Sequence, residues 1–292
     1  MRQLSIPPHN AVEVFATCVN AVPDALARDN YAANHVHIVK SINDYAAASQ
    51  AKSWHGLPRA AWGQVDAIVV GSLSKSSLTD LYTSYMVPTN MAARTTYDEI
   101  MVAANGKCPF CGGIGLVSTL DHYLPKSTFP LYSVLPANLV PCCKDCNTGK
   151  SASFGMSPGD QPLHPYLDEP KFFNERWVYA EVEQTTPISI KYICAPPQAW
   201  PAVERSRLLS HFEDYDLGYR FGVQAGAELA KVIDARRGSL RNLLAEDFRA
   251  YLVEGAASSG FDVNGWNRTM YFALANTAWF YNSTFVLPTV GS

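Results

Sequence analysis

The sequence is short of charge. Only 17% of its 292 residues are Asp, Glu, Lys or Arg, against roughly 25% in an average soluble domain. Its 23 Lys and Arg are offset by 26 Asp and Glu, leaving a formal charge of −3. That balance excludes a polybasic, histone-like protein, so any contact with nucleic acid has to come from a local patch. Apolar runs long enough to span a bilayer, about 18 residues or more, are lacking, and Met1–Asn10 holds no signal-peptide core. Internal repeats and low-complexity segments are missing too. These absences predict a soluble, cytoplasmic protein with no membrane contact. What is present is apolar: 48% hydrophobic and 12% aromatic residues, enough for a sizeable core and too much for disorder. With so little charge around it, some apolar surface is expected to be covered by a protein partner.

Periodicity predicts an α+β chain, mostly helical, with a small metal-bearing module and a short β-hairpin. Helical patterns fill much of Asn10–Gln50, then Leu78–Tyr85 and Met91–Ala104, the last stopped by Asn105–Gly106. Short strands and loops follow from Lys107, with a helix from about Lys144. Gly155–Pro170 is rich in proline and reads as a surface wrap. Trp177–Val182 and Ile188–Ile193 read as the hairpin. Helices are expected near Ala202–Phe212, Leu217–Arg236, Ser239–Glu254 and Gly265–Asn282. The expected division is 1–104 helical, 105–168 module, and 169–292 hairpin plus helices.

Seven cysteines are distributed unevenly: Cys108, Cys111, Cys142, Cys143 and Cys146 crowd together, while Cys18 and Cys194 stand alone. An odd count without a secretory signal disfavours a disulfide framework. Cys108-Pro109-Phe110-Cys111 and Cys143-Lys144-Asp145-Cys146 are two C-x-x-C turns. Each presents two thiolates to one ion, and together they close a tetrahedral structural Zn²⁺ site. Gly112–Gly113 lets the chain turn tightly after the first pair. The spacing favours Cys143 over Cys142, which then packs as a thiol, although Cys142 as the ligand is the alternative.

Between the two pairs lie Asp121-His122 and Asn138, and Asn147 directly follows Cys146. Here the sequence resembles the HNH endonucleases, the His-Me finger or ββα-metal family. The family motif has an Asp-His pair closing the first strand, an Asn in the following loop and a His or Asn on the helix. The resemblance covers about Cys108–Ser153. It implies that His122 is a general base and that Asp121 and Asn147 hold one catalytic Mg²⁺ or Mn²⁺. It also implies that Asn138 braces the loop to orient His122. A carboxylate and an amide oxygen are hard ligands suited to such ions, and an imidazole titrates near neutrality, as a base must. Asn147 stands where the lettering has a third His, which favours Mg²⁺ over softer metals. Neighbours on a strand point to opposite sides, so Asp121 and His122 meet at one ion only if the strand end twists.

Lys126 and Lys150 flank these residues and are the candidate phosphate contacts, in a stretch with a local excess of positive charge. His164, in His164-Pro165-Tyr166, is a candidate accessory residue, since a similar stretch follows the core in some HNH proteins. Arg236, Arg237 and Arg241 read as a solvated face or partner contact, and the tryptophans as core or interface anchors. A small HNH module within helical flanks also resembles the nuclease of Septu and retron-associated anti-phage systems, which implies an ATPase partner regulating cleavage of DNA. Two alternatives stand beside this. One is a non-enzymatic zinc-stapled module binding nucleic acid or protein, with Asp121 and His122 structural. The other is an HNH-fold RNase, for example one cleaving tRNA.

Overall fold

Asn10 starts the first helix: its side chain accepts hydrogen bonds from the backbone N–H groups of Val12 at 2.9 Å and Glu13 at 3.2 Å, satisfying donors a helix start leaves open. That helix, α1 (Ala11–Asn20), buries Val14, Phe15, Cys18 and Val19. Helices α2 (Ala25–Ala33) and α3 (His35–Ala51) follow. A short hairpin, β1 (Ile68–Val70) with β2 (Leu73–Ser74), is not signalled by any apolar alternation. It exists because Gly71, at φ +56°, turns the chain against Asn34. A Cβ there would lie 1.7 Å from the Asn34 side-chain oxygen. Ser74 caps α4 (Lys75–Thr83), which therefore begins before the expected Leu78. Helix α5 (Arg94–Val102) ends ahead of Asn105 and Gly106, both at positive φ.

The computed structural model describes residues 1–61, 63–150, 154–258 and 260–285, with Lys150 by its backbone alone. Strand β3 (Val117–His122) pairs antiparallel with β4 (Leu139–Cys143), His122 opposite Leu139 and Asp121 opposite Val140. Helix α6 (Lys144–Lys150) follows directly and packs on both strands. Pro141 is tolerated in β4 because the sheet has only two strands and leaves an edge unpaired.

The chain divides into two units, Arg2–Asp168 with Ala202–His211, and Met1 with Glu169–Pro201 and Phe212–Ser292. In the first, Leu120, Val134 and Leu139 share one core with Phe15, Ile38, Leu78, Tyr82 and Ile100. Residues 1–104 and 105–168, expected from the sequence to be separate regions, are thus packed around the same apolar centre. The proline-rich stretch also departs from expectation. Gln161–Tyr166 are all buried rather than laid over a surface.

The second unit holds α7 (Lys171–Asn174) and the hairpin β5 (Val178–Glu183) with β6 (Ser189–Cys194). Helices α9 (Leu217–Arg237), α10 (Ala245–Ala256), α11 (Trp266–Asn276) and α12 (Ala278–Asn282) complete it, while α8 (Ala202–Asp214) contributes most of its length to the first unit. The Asn264 side-chain oxygen accepts from the N–H groups of Trp177 and Val178, fixing the start of β5. The expected helix from Ser239 begins only at Ala245. Arg236 is buried and donates to the Leu240 and Leu243 carbonyls, holding that stretch as turns. Arg236 is therefore a structural clamp and not a solvated surface charge. The class is mixed α+β, about half helical with two-stranded antiparallel sheets. Among the described residues no helix is long and apolar enough to cross a membrane.

Candidate metal centre and adjoining polar site

The two C-x-x-C turns come together. The Sγ atoms of Cys108, Cys111, Cys143 and Cys146 all lie within 4.8 Å of one another, every one buried. Zn–S bonds of about 2.3 Å give a tetrahedron with edges of about 3.8 Å, and Cys111 Sγ stands 4.0 Å from Cys143 Sγ. The cluster fits a metal such as zinc. Cys142 lies outside this set, with its Sγ 3.3 Å from the Cys143 carbonyl oxygen. Crowding splits the thiols: hydrogen bonding between the pair pulls Cys111 below the ordinary thiol value and pushes Cys108 above it. Bringing unscreened thiolates this close is costly, and a dication relieves that cost.

The first turn is held by its backbone. Gly112 and Gly113, at φ +68° and +88°, carry the chain round so that the Gly113 N–H donates to the Cys108 carbonyl at 2.9 Å. The Arg2 N–H donates to the Pro109 carbonyl at 3.1 Å. His211, which no motif singles out, supplies the other brace. Its Nδ1 accepts from the Leu163 N–H at 3.2 Å, so Nε2 carries the proton and donates to the Phe110 carbonyl at 2.9 Å. Burial lowers its pKa to about 3, with the Phe110 carbonyl opposing.

The unfolded chain, with a histidine near the ordinary 6.5, binds a proton that folded His211 refuses. Its stabilising contribution is therefore complete above that pH and is lost as pH falls from about 6.5 towards 3, by up to about 1.4 kcal/mol per pH unit. Urea unfolding of the wild type between pH 7 and 4 should show this loss, and His211→Gln should flatten it. Equal slopes for the two proteins would contradict the assignment.

At the end of the β3–β4 pair away from Cys143, Asp121 and His122 close β3, 6% and 7% exposed. His122 Nε2 donates to the Ser133 carbonyl at 2.8 Å. A carbonyl only accepts, so in the neutral ring the lone pair belongs to Nδ1. The ring meets Tyr82 edge-on at 4.4 Å between centroids, and Lys126 places its ammonium 5.1 Å from the centre of the same Tyr82 ring. Burial raises the Tyr82 phenol, with Tyr97 and then Asp121 adding to it, so it stays protonated and donates to the Leu120 carbonyl at 3.2 Å. Burial lowers Lys126 below the ordinary lysine value, against the pull of Asp80.

Asn138 is fully buried and closes the loop between the strands. Its oxygen accepts from the Leu124 N–H at 2.8 Å, and its Nδ2 donates to the Leu124 and Tyr132 carbonyls at 3.1 and 3.0 Å. The Tyr132 carbonyl it grips is one residue from the Ser133 carbonyl that grips His122. Asn147 sits half-exposed one turn into α6. The Lys150 side chain lies outside the described residues.

His164 is elsewhere. It is fully buried against Trp54 and Tyr123, with ring centroids 5.4 and 4.1 Å away. Its Nδ1 accepts from the Tyr166 N–H, so Nε2 donates to the Tyr45 hydroxyl at 3.1 Å. Tyr45 in turn donates to the Ala137 carbonyl at 3.2 Å. His164 thus braces the residue before Asn138 through a tyrosine. No motif in the sequence points to the ion pair beside it. Arg207 donates to both carboxylate oxygens of Asp168, at 2.8 and 2.6 Å, with both side chains buried. Nothing local marks the pair, since Asp168 stands beside Glu169 and Arg207 beside Ser206.

Fold and site define a two-unit α+β protein with a buried four-cysteine centre suited to zinc. No protein-family model matches the sequence, and no solved structure gives a significant match. The chain is 31% identical over 293 residues to Protein ea31 of Escherichia phage lambda, an alignment covering 96% of this chain and 99% of that protein. It belongs to the family of Protein ea31.

Proposed function

We propose that the protein is a metal-dependent endonuclease of the HNH type that hydrolyses phosphodiester bonds, in DNA before RNA. The observation that carries this reading is the order β3–β4–α6, with Asp121 and His122 closing the first strand, Asn147 one turn into the helix and the cysteine centre at the β4–α6 junction. His122 is the base. Its Nδ1 takes a proton from water as the water oxygen bonds to phosphorus. The P–O3′ bond breaks, leaving a 5′-phosphate and a 3′ oxygen that is protonated from solvent. Asn138 is a positioning residue, holding the loop whose Ser133 carbonyl fixes the imidazole. Lys126 offers its partly desolvated ammonium to a phosphate oxygen. Asp121 and Asn147 offer only oxygen donors, which suits Mg²⁺ or Mn²⁺, and such an ion would supply neutralisation of charge at phosphorus.

The low net charge agrees with an effector that an ATPase partner holds on its substrate, as in anti-phage defence. One observation favours a second reading, a zinc-stapled binding module: Asp121 and His122 are both largely buried.

A metal and substrate panel tests the proposal. Plasmid, single-stranded DNA and tRNA are each incubated with zinc-loaded protein plus Mg²⁺, Mn²⁺ or further Zn²⁺. Nicking of DNA with Mg²⁺ or Mn²⁺ is expected, with little from Zn²⁺ alone. Cleavage confined to tRNA would move the substrate to RNA, and no cleavage of any polymer would leave the binding module.

A further inference from the structure

The second unit carries two arginines that the fold does not neutralise. Arg176, just before β5, stacks its guanidinium on Tyr179 at 4.4 Å and on Phe272 at 5.0 Å, and its Nε donates to the Val178 carbonyl at 3.3 Å. Arg268, one helical turn before Phe272 in α11, places its guanidinium 5.8 Å from the centre of the same Phe272 ring. Among the described residues neither has a carboxylate within ion-pair distance, whereas Arg94, Arg207, Arg237 and Arg249 do. The two charges feel each other: burial and Arg268 together lower the Arg176 pKa against the opposing Tyr179. The ring contacts favour each guanidinium, but two like charges held near one ring also repel, and an anion beside them would offset that repulsion.

The surroundings add the rest of a ligand. Tyr179 is 38% exposed, leaving ring surface open to stacking. A cavity of about 420 Å³ is lined by Arg176, Tyr179, Phe272, Glu181 and Asn276. Arginine pairs take phosphate, an open aromatic face takes a base, and a carboxylate and an amide at the rim can hydrogen-bond a base edge. We propose that this surface binds an unpaired stretch of nucleic acid, with a phosphate on Arg176, Arg268 near the same Phe272 ring as a second positive charge, and a base on Tyr179. The proposal rests on the nuclease reading only in making that strand the substrate; the binding itself stands apart from cleavage.

Fluorescence anisotropy with a labelled oligothymidylate of about 12 nucleotides, on His122→Ala protein to prevent cleavage, tests it. Arg176→Gln with Arg268→Gln should weaken binding tenfold or more and make its dependence on salt shallower, by roughly 0.7 in the logarithmic slope for each phosphate no longer neutralised. Tyr179→Leu, at an exposed position where folding is least at risk, should weaken binding about tenfold with little change in the salt slope. Thymidine monophosphate should compete poorly. Wild-type affinity in both variants, or binding of the monophosphate as tight as the oligomer, would overturn the proposal. Absence of cleavage by the wild type with intact oligomer binding would count against the nuclease reading alone.

Discussion

Replacing Cys143 by Ser is expected to strip the metal and loosen the β3–β4–α6 module. Structural zinc contributes about 10–16 kcal/mol in small peptides that have no other core. Here Leu120 and Leu139 of the same strands are already embedded among α1, α4 and α5, so the net loss should be smaller. It should still be several kcal/mol, a large share of the roughly 5–15 kcal/mol that holds a typical domain. Zinc content by mass spectrometry should fall in Cys143→Ser, and the melting temperature should fall with it. Cys142→Ser should keep its zinc, because the Cys142 Sγ lies outside the set that closes on one point. The reverse pattern would exchange the two ligands, and a metal-free wild type of unchanged stability would remove the centre altogether.

The second large effect is expected at Arg207. Burial works against its charge, and the Asp168 carboxylate outweighs that penalty and raises its pKa. Arg207→Ala leaves Asp168 as a buried anion with the His164 N–H, 2.6 Å away, still bonded to it. Breaking one side of such a pair costs about 3–5 kcal/mol, which for a unit of this size lowers the melting temperature by roughly 10 °C. Arg207→Met combined with Asp168→Asn removes both charges and keeps an acceptor for His164, so it should recover much of the loss. Calorimetry on the three proteins checks this. A double variant as unstable as Arg207→Ala would show that packing of the arginine stem, not its charge, carries the effect.

Elements whose apolar spacing is regular were legible in the sequence. The helices α1, α3, α9 and α11, the β5–β6 hairpin and a helix from Lys144 stand close to where periodicity places them. Local rules failed where long-range contacts decide. The β1–β2 hairpin depends on Gly71 meeting Asn34, and the turns after Gly238 depend on Arg236 reaching forward to carbonyls. Asn34 lies 37 residues from Gly71, and Arg236, though only four and seven residues from those carbonyls, is itself held by the Ser283 carbonyl 47 residues on. At the site, the paired C-x-x-C spacing pointed to the four thiols because a two-residue turn constrains geometry by itself. His211 was not legible as a brace, since its partner Phe110 lies about a hundred residues away; for His164 the resemblance implied a residue that lines or braces the site, but not its distant partner Tyr45. For Asn138 the resemblance implied a loop brace that orients His122; its bonds to Leu124 and Tyr132 tie that loop together.

The role of the His122 imidazole is tested by comparing His122→Ala with the wild type. Both proteins are matched in zinc content, shown by their melting temperatures to be folded at the assay temperature, and assayed for nicking of supercoiled plasmid in Mg²⁺. Loss of a general base is worth about 10²–10⁴-fold, so nicking by His122→Ala should fall by at least that lower bound while its zinc remains. Nicking at the wild-type rate by the zinc-loaded variant would contradict the assignment of His122 as the base.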